Sequence, residues 1–189
     1  MKKEIIEYIS KTIELVWKKD IKNDYNAESL VNEDTLKNAI YYHIRRRIGK
    51  LLEENNIKIF TEFRYGLFAD MKYIPDIVLV EMDYSKEKEY IVKQAKRFVA
   101  IIEIKFQGDT YSATNRVYND YEKMRKYSEK CDKRCLYYMA TIWKARDNSA
   151  KPWIEDKEWK NGNLTELNAS YNRNDNMKFS VIPHNKPSP

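Results

Sequence analysis

The 189-residue sequence contains few glycine, cysteine and histidine residues. Only 4 glycines occur, and none belongs to a GxGxxG or GxxxxGK pattern, which argues against an activity driven by nucleotide hydrolysis. The two cysteines, Cys131 and Cys135, lack the second Cys or His pair of a structural zinc site, and we interpret them as reduced thiols. The only histidines, His43 and His184, are too few to favour a histidine-based zinc centre.

A long uninterrupted hydrophobic segment is also missing. Charges interrupt the apolar positions of residues 1–20, which fits neither a signal peptide nor a membrane span, so we expect a cytoplasmic protein without membrane attachment. The chain carries 35 basic and 29 acidic residues, a net charge of +6. This surplus favours polyanionic partners such as nucleic acid, although solvated helix faces account for most of the basic residues.

Apolar residues recur at helical spacing in two N-terminal segments. The first predicts an amphipathic helix over residues 1–20, ending near Asp20, followed by a polar connector. The second predicts a long helix that begins near Asp34 and Thr35 and ends at the pair Asn55 and Asn56.

The middle of the chain changes to short segments rich in β-branched and aromatic residues. Three such segments predict strands, and a helix beyond Gly108 leads to a fourth; the segments are IKIFTEFRYG, KYIPDIVLVEM, RFVAIIEIKF and CLYYMATIW. The interval from Asp83 to Lys96 is either a long hairpin loop or a small extra helix. The order α-α-β-β-β-α-β predicts an α/β fold with a mixed sheet flanked by helices. We expect one domain over residues 1–145, including the extra N-terminal helix, and a partly ordered extension over 146–189 with a short strand at 178–183.

Three charged residues interrupt the predicted strands. Asp76 follows Pro75 within the second segment, and Glu103 and Lys105 lie two positions apart in the third, which puts both on one face of a strand. Charges in a mostly buried strand cost free energy unless they are paired, solvated in a cleft or bound to a metal ion. Pro75 lacks a backbone donor and favours an edge or a bulge that could turn Asp76 into a site.

Antiparallel pairing of the second and third strands would bring Asp76 opposite Glu103. Two carboxylates, a backbone carbonyl and a substrate phosphate are suitable ligands for Mg²⁺, which prefers oxygen ligands and keeps several waters. The three residues could instead have purely structural roles, with Asp76 as a turn residue and Glu103 with Lys105 as a surface salt bridge. We favour the site, because three charged groups in two apolar strands would otherwise need separate explanations.

The pair Pro75-Asp76 and the triplet Glu103-Ile104-Lys105, on the second and third strands of an αβββαβ order, resemble the signature of the PD-(D/E)XK, or restriction-endonuclease-like, nucleases. The resemblance implies that Asp76, Glu103 and the carbonyl of Ile104 bind Mg²⁺ or Mn²⁺. It implies that Lys105 orients or activates the attacking water and stabilises charge on the phosphate. The segment between Asp76 and Glu103 is longer than the short hairpin of many relatives.

The resemblance suggests three further candidates. Members often add an acidic residue from the first core helix or the first strand, for which Glu33 and Glu62 are available, and Gln107 matches an extended ExKxQ form. Glu33 can instead favour the positive end of the following helix, and Glu62 can pair with Arg64 on the same strand face. Gln107 lies at a strand end, where a polar residue needs no functional explanation.

The sequence thus predicts a metal-dependent phosphodiesterase that acts on nucleic acid, and we expect a DNA endonuclease. The alternatives are a catalytically silent nuclease-like module that binds nucleic acid or protein, and a subunit of a larger nuclease complex. A homodimer would suit an enzyme that cuts both strands of a duplex, although no segment encodes one convincingly.

Overall fold

The computed structural model of the chain describes residues 2–64, 73–86, 90–107, 113–144, 159, 163–171 and 176–184. Much of the predicted extension, including residues 146–158, lies outside these ranges, as does Gly108. Within them, no helix combines the length and the apolar composition that crossing a lipid bilayer requires.

The N-terminal helix is longer than the sequence pattern predicts. Helix α1 (Lys3–Leu15) continues through a π-helical turn (Val16–Ile21) into the short helix α2 (Lys22–Asn26). Trp17 and Ile21 within the turn are fully buried, and Asp20 is bound by Arg47 of the following helix. The predicted end near Asp20 is therefore wrong, because a buried ion pair there lets the helix continue past a charged residue.

Helix α3 (Glu33–Glu54) begins with a capping box. The side chain of Asn32 accepts a hydrogen bond from the Thr35 N–H at 2.9 Å, and Thr35 Oγ1 accepts one from the Asn32 N–H at 3.1 Å. The reciprocal bonds satisfy two backbone donors that have no partner within the helix. The helix starts slightly earlier than predicted and ends, as predicted, at Asn55 and Asn56.

In the described ranges, six strands form one mixed sheet in the order β1-β2-β3-β4-β5-β6. The first three pair antiparallel, β3, β4 and β5 run parallel, and β6 returns antiparallel to β5. The bounds of the strands are β1 (Ile57–Thr61), β2 (Ile77–Met82), β3 (Ala95–Gln107), β4 (Leu136–Trp143), β5 (Asn163–Tyr171) and β6 (Met177–Pro183). The predicted α/β class with a mixed sheet and flanking helices is confirmed, and β5 is a strand that the sequence pattern did not predict.

Helices cover both faces of the sheet. Residues of α1 and α3 pack with Leu79, Ile102 and Ala140 on one face. Helix α4 (Ala113–Lys130) covers the other face, where Tyr121 and Met124 belong to a second apolar cluster. Successive side chains of the central strands therefore point alternately into two cores, one on each face of the sheet. A buried charged residue of these strands lies on the side of one of these cores.

The connections around β2 differ from the sequence expectations. Pro75 and Asp76 lie immediately before β2 rather than inside it, and the irregularities of the β2–β3 ladder occur at Leu79/Val80 and Glu81/Met82 rather than at Pro75. The proline has no N–H for a strand ladder, so β2 begins after it. Between β2 and β3 the structure has two short 3₁₀ turns, Tyr84–Lys86 and Ile91–Gln94.

Candidate functional site

Asp76 and Glu103 meet at the point where β2 begins. The ladder pairs Ile77 with Ile102, and one further step along the antiparallel register puts Asp76 opposite Glu103. Oδ2 of Asp76 accepts a hydrogen bond from the Ile104 N–H at 2.8 Å. The Asp76 side chain thus takes the place of a backbone partner where β3 extends past β2, and it is held against the strand that carries Glu103 and Lys105.

Glu103 is the most enclosed carboxylate of this group. Its side chain is 1% exposed, and Oε2 lies 2.7 Å from the Nζ atom of Lys123 on α4. Burial, together with the negative charge of Asp76, raises the pKa of Glu103 well above its usual value, although Lys123 opposes this shift. Oε1 is buried as well, and burial, the negative charge of Glu103 and a hydrogen bond with Glu103 raise the pKa of the nearby Tyr127 phenol.

Lys105 bridges two helices on opposite faces of the sheet. Its Nζ lies 3.1 Å from Oε1 of Glu33, the first residue of α3, and 3.1 Å from Oδ2 of Asp120 on α4. Burial alone would lower the pKa of Lys105, but the charges of Asp120 and Glu33 outweigh burial and raise it. The ammonium is therefore kept protonated and fixed in position.

The site contains more acid than base. Two ammonium groups face four carboxyl groups, and the six residues are Lys105, Lys123, Glu33, Asp76, Glu103 and Asp120. With every group ionised the cluster has an excess of two negative charges. Burial is the largest reason why ionising Glu103 is costly, and the negative charges of Asp76 and Asp120 add to it. The excess of negative charge makes the site a favourable place for an added cation.

Glu62 is turned away from this cluster. Its N–H continues the β1–β2 ladder to the Asp76 carbonyl at 3.1 Å, but its φ of 50° breaks the alternation of a strand. Its carboxylate lies 2.7 Å from the Nζ of Lys37 on α3. Among the described contacts, Glu62 thus binds neither Arg64 nor the carboxylates of the site.

Ile104 and Gln107 have different surroundings. The Ile104 side chain is buried in the core beneath α3, and its backbone N–H is the group that binds Asp76. Gln107, at the end of β3, is 4% exposed, and its carbonyl accepts a hydrogen bond from the Lys144 N–H at 3.0 Å. By strand alternation its side chain faces the same side as Glu103 and Lys105.

Sequence reasoning missed the contribution of α4. Asp120, Lys123 and Tyr127 are spaced three and four residues apart, which puts them on one helical face over Glu103. The solvated helix face that the sequence predicts for most basic residues does not describe Lys123, whose side chain binds Glu103. The available signal was an acid and a lysine on the same helical stripe as the apolar residues Tyr121 and Met124.

Three carboxylates of the cluster, Glu33, Glu103 and Asp120, are paired with lysines, whereas Asp76 accepts a backbone N–H. Across the ranges that the structure describes, no group of three or more His, Cys, Asp or Glu side chains has the arrangement of a metal site. Two free cysteines, Cys131 and Cys135, lie at the junction of α4 and β4, away from these residues in the sequence.

Comparisons with known proteins add no relative from which a function could be transferred. No protein-family model, no curated protein and no solved structure matches this chain.

Proposed function

We propose that this protein is a metal-dependent nuclease of the PD-(D/E)XK type, which hydrolyses phosphodiester bonds of nucleic acid and acts as a DNA endonuclease. The observation that carries the proposal is the convergence of Asp76, Glu103 and Lys105 at the start of β2. Asp76 binds the backbone of Ile104, between the other two residues, at 2.8 Å. Asp76, which is distant in the sequence, thus lies against the short stretch of β3 that carries Glu103 and Lys105.

The strand arrangement supports the same proposal. An antiparallel β1–β2–β3 unit is followed by α4 and by β4, which runs parallel to β3. This is the αβββαβ order that the resemblance to these nucleases implies. The irregularities of the β2–β3 ladder lie at Leu79/Val80, in the middle of β2, and at Glu81/Met82, at its far end. The pairs from Ile77 to Leu79, which adjoin Asp76, keep a regular register.

The residues of the site fit a divalent cation. One Asp76 oxygen accepts the Ile104 N–H, Glu103 lies opposite Asp76 in the β2–β3 register, and with every group ionised the cluster has an excess of two negative charges. In an extended strand the N–H and C=O of one residue lie on the same edge, so the Ile104 carbonyl points to the edge where Asp76 binds. Asp76, Glu103 and this carbonyl would hold Mg²⁺ or Mn²⁺. When bound, such an ion lowers the pKa of a coordinated water and polarises the phosphate.

The protein groups supply position and charge. Lys105, held by Glu33 and Asp120, keeps a fixed positive charge beside Glu103, where it can orient the attacking water and stabilise negative charge that develops on the phosphate. Glu33 thereby acts as a positioning residue for Lys105, in addition to its place at the start of α3. The net charge of +6 favours approach of a polyanionic substrate.

A catalytically silent nucleic-acid- or protein-binding module is the second candidate. It is favoured by the fact that Lys105 and Lys123 are both already bound by carboxylates. Calorimetry with Mg²⁺ and Mn²⁺ separates the two candidates, because a silent module need not bind a cation through Asp76 and Glu103.

The decisive test is DNA cleavage by the purified chain on circular and linear substrates. With Mg²⁺ or Mn²⁺ we expect cleavage that excess EDTA abolishes and that Asp76→Asn and Lys105→Met each reduce by roughly 100-fold, because each removes preorganised charge from the site. Asp83→Asn and Lys96→Met are matched controls at the other ends of the same strands and should retain activity. Equal cleavage by the site variants, or cleavage that persists in EDTA, would overturn the proposal.

A further inference from the structure

Lys123 is bound to one of the two carboxylates that we assign to the metal. Its Nζ lies 2.7 Å from Oε2 of Glu103 and 3.8 Å from Oδ1 of Asp120. The Glu103 side chain is 1% exposed, whereas that of Lys123 retains 17%. The ammonium is therefore the accessible partner of a pair whose acid is fully enclosed.

The charge balance explains why a lysine binds there. Glu103 is buried beside the carboxylate of Asp76, and an ionised group in such surroundings needs a nearby cation. In the metal-free protein Lys123 is the cation nearest to Glu103. A divalent ion held by Asp76 and Glu103 would meet the same need with twice the charge.

Two cations on one carboxylate would repel each other at a separation of a few ångströms in a poorly solvated site. Lys123 has an alternative partner within reach, because Asp120 lies one helical turn before it on α4. Rotation of the flexible lysine side chain is sufficient to move the ammonium from Glu103 towards Asp120. Lys105 already binds the other oxygen of Asp120, so this carboxylate would then serve two lysines.

We propose that Lys123 is an exchangeable counter-ion of the site. It holds Glu103 in place while the protein is metal-free, and it moves to Asp120 when a divalent cation binds. The inference rests on the proposed function, because it takes Asp76 and Glu103 as metal ligands. Its consequence is that Lys123 stabilises the metal-free protein and lowers the affinity for the cation, since the two effects are linked.

The test compares Mg²⁺ binding by the wild type, Lys123→Met and the control Lys126→Met, using calorimetry on the full chain at about pH 8, where protons compete least with the cation. Lys126 is exposed on the same helix and lies over the Tyr73 ring. We expect Lys123→Met to bind Mg²⁺ about tenfold more tightly and to melt at a lower temperature without metal. Lys126→Met should match the wild type in both measurements.

A second measurement covers the case in which Lys123→Met does not fold. The side-chain signal of Lys123 in lysine-labelled wild-type protein can be assigned with the charge-conserving variant Lys123→Arg and followed by NMR. Adding Mg²⁺ should shift this signal and leave that of Lys126 unchanged. The inference would be overturned, and the proposed function left intact, if Mg²⁺ binds without shifting the Lys123 signal and Lys123→Met binds Mg²⁺ with the wild-type affinity. Failure of the wild type to bind any divalent cation would instead overturn both.

Discussion

Two buried carboxylates, Asp20 and Glu103, show opposite electrostatic solutions in the same molecule. The Asp20 side chain is 8% exposed and lies 2.6 Å from Nε and 2.9 Å from Nη2 of Arg47, with Arg46 at 3.3 Å. Burial alone would raise the pKa of Asp20, but Arg47, with further charge from His43 and Arg46, lowers it below its usual 3.8. Glu103 has one lysine and a second carboxylate nearby, and its pKa is raised.

The difference separates structural from functional use of charge. Asp20 is overcompensated by two guanidinium groups that join the N-terminal helix to α3, which is what a stabilising ion pair requires. At Glu103 the single lysine does not offset burial and the charge of Asp76, so the surroundings disfavour the ionised carboxylate. A site that retains such an unfavourable arrangement is a candidate for binding a cation, because the cation would remove the penalty.

Matched amide substitutions should separate the two carboxylates by their effect on stability. We expect Asp20→Asn to lower the free energy of unfolding by about 2 kcal/mol, since it leaves Arg47 without its charged partner; the partial exposure of both arginines reduces the loss. Glu103→Gln should change stability by less than about 0.5 kcal/mol or increase it, because it removes an unfavourable charge. Urea unfolding in EDTA measures the free energy of unfolding of both variants. An equal loss for the two variants would show that Glu103 is an ordinary structural ion pair.

The pH dependence of stability should differ in sign between the two groups. The folded-state pKa of Asp20 is lowered, so its stabilisation is complete above the usual value of 3.8 and is lost as the pH falls through the folded-state pKa. The folded-state pKa of Glu103 is raised, so its contribution is complete below the usual value of 4.5 and is lost as the pH rises through the folded-state pKa.

Unfolding curves from about pH 3 to about pH 8 in EDTA test this prediction. Relative to the wild type, Glu103→Gln should gain stability as the pH rises, because glutamine mimics the protonated acid at every pH. The deficit of Asp20→Asn should shrink at the acidic end of the range. Parallel curves for Glu103→Gln and the wild type would contradict the raised pKa of Glu103.

Local patterns in the sequence predicted most of the central fold. Short segments rich in β-branched and aromatic residues marked the three antiparallel strands, and the Asn55–Asn56 pair marked the end of α3. The pairing of Asp76 with Glu103 followed because an antiparallel register fixes which residues face each other. These are short-range rules, and they remain valid when the connection between two strands is long.

Features that depend on distant contacts could not be predicted in this way. Strand β5 has Thr165, Glu166, Asn168 and Ser170 buried, so its polarity hid it from a search for apolar runs. Lys123 looked like a surface residue because its partner, Glu103, lies on a strand that the helix covers only in three dimensions. Backbone conformation was equally hidden, since the positive φ of Glu62 ends the strand alternation on which its predicted pairing with Arg64 depended.

Substitution of Glu62 tests whether this residue belongs to the site, and we expect it to have the smallest effect. Its carboxylate is 65% exposed and paired with Lys37, an arrangement that contributes less than about 1 kcal/mol in comparable exposed pairs. We therefore expect Glu62→Gln to retain DNA cleavage within about twofold and to lower the free energy of unfolding by less than about 1 kcal/mol. Lys37→Met is the matched control, since it breaks the same pair from the other side. A loss of cleavage in Glu62→Gln alone would mean that Glu62 leaves Lys37 and joins Asp76 and Glu103 during the reaction. In that case the metal site would have three acidic ligands. Lys37 would then be an exchangeable counter-ion of Glu62, as we propose Lys123 to be for Glu103.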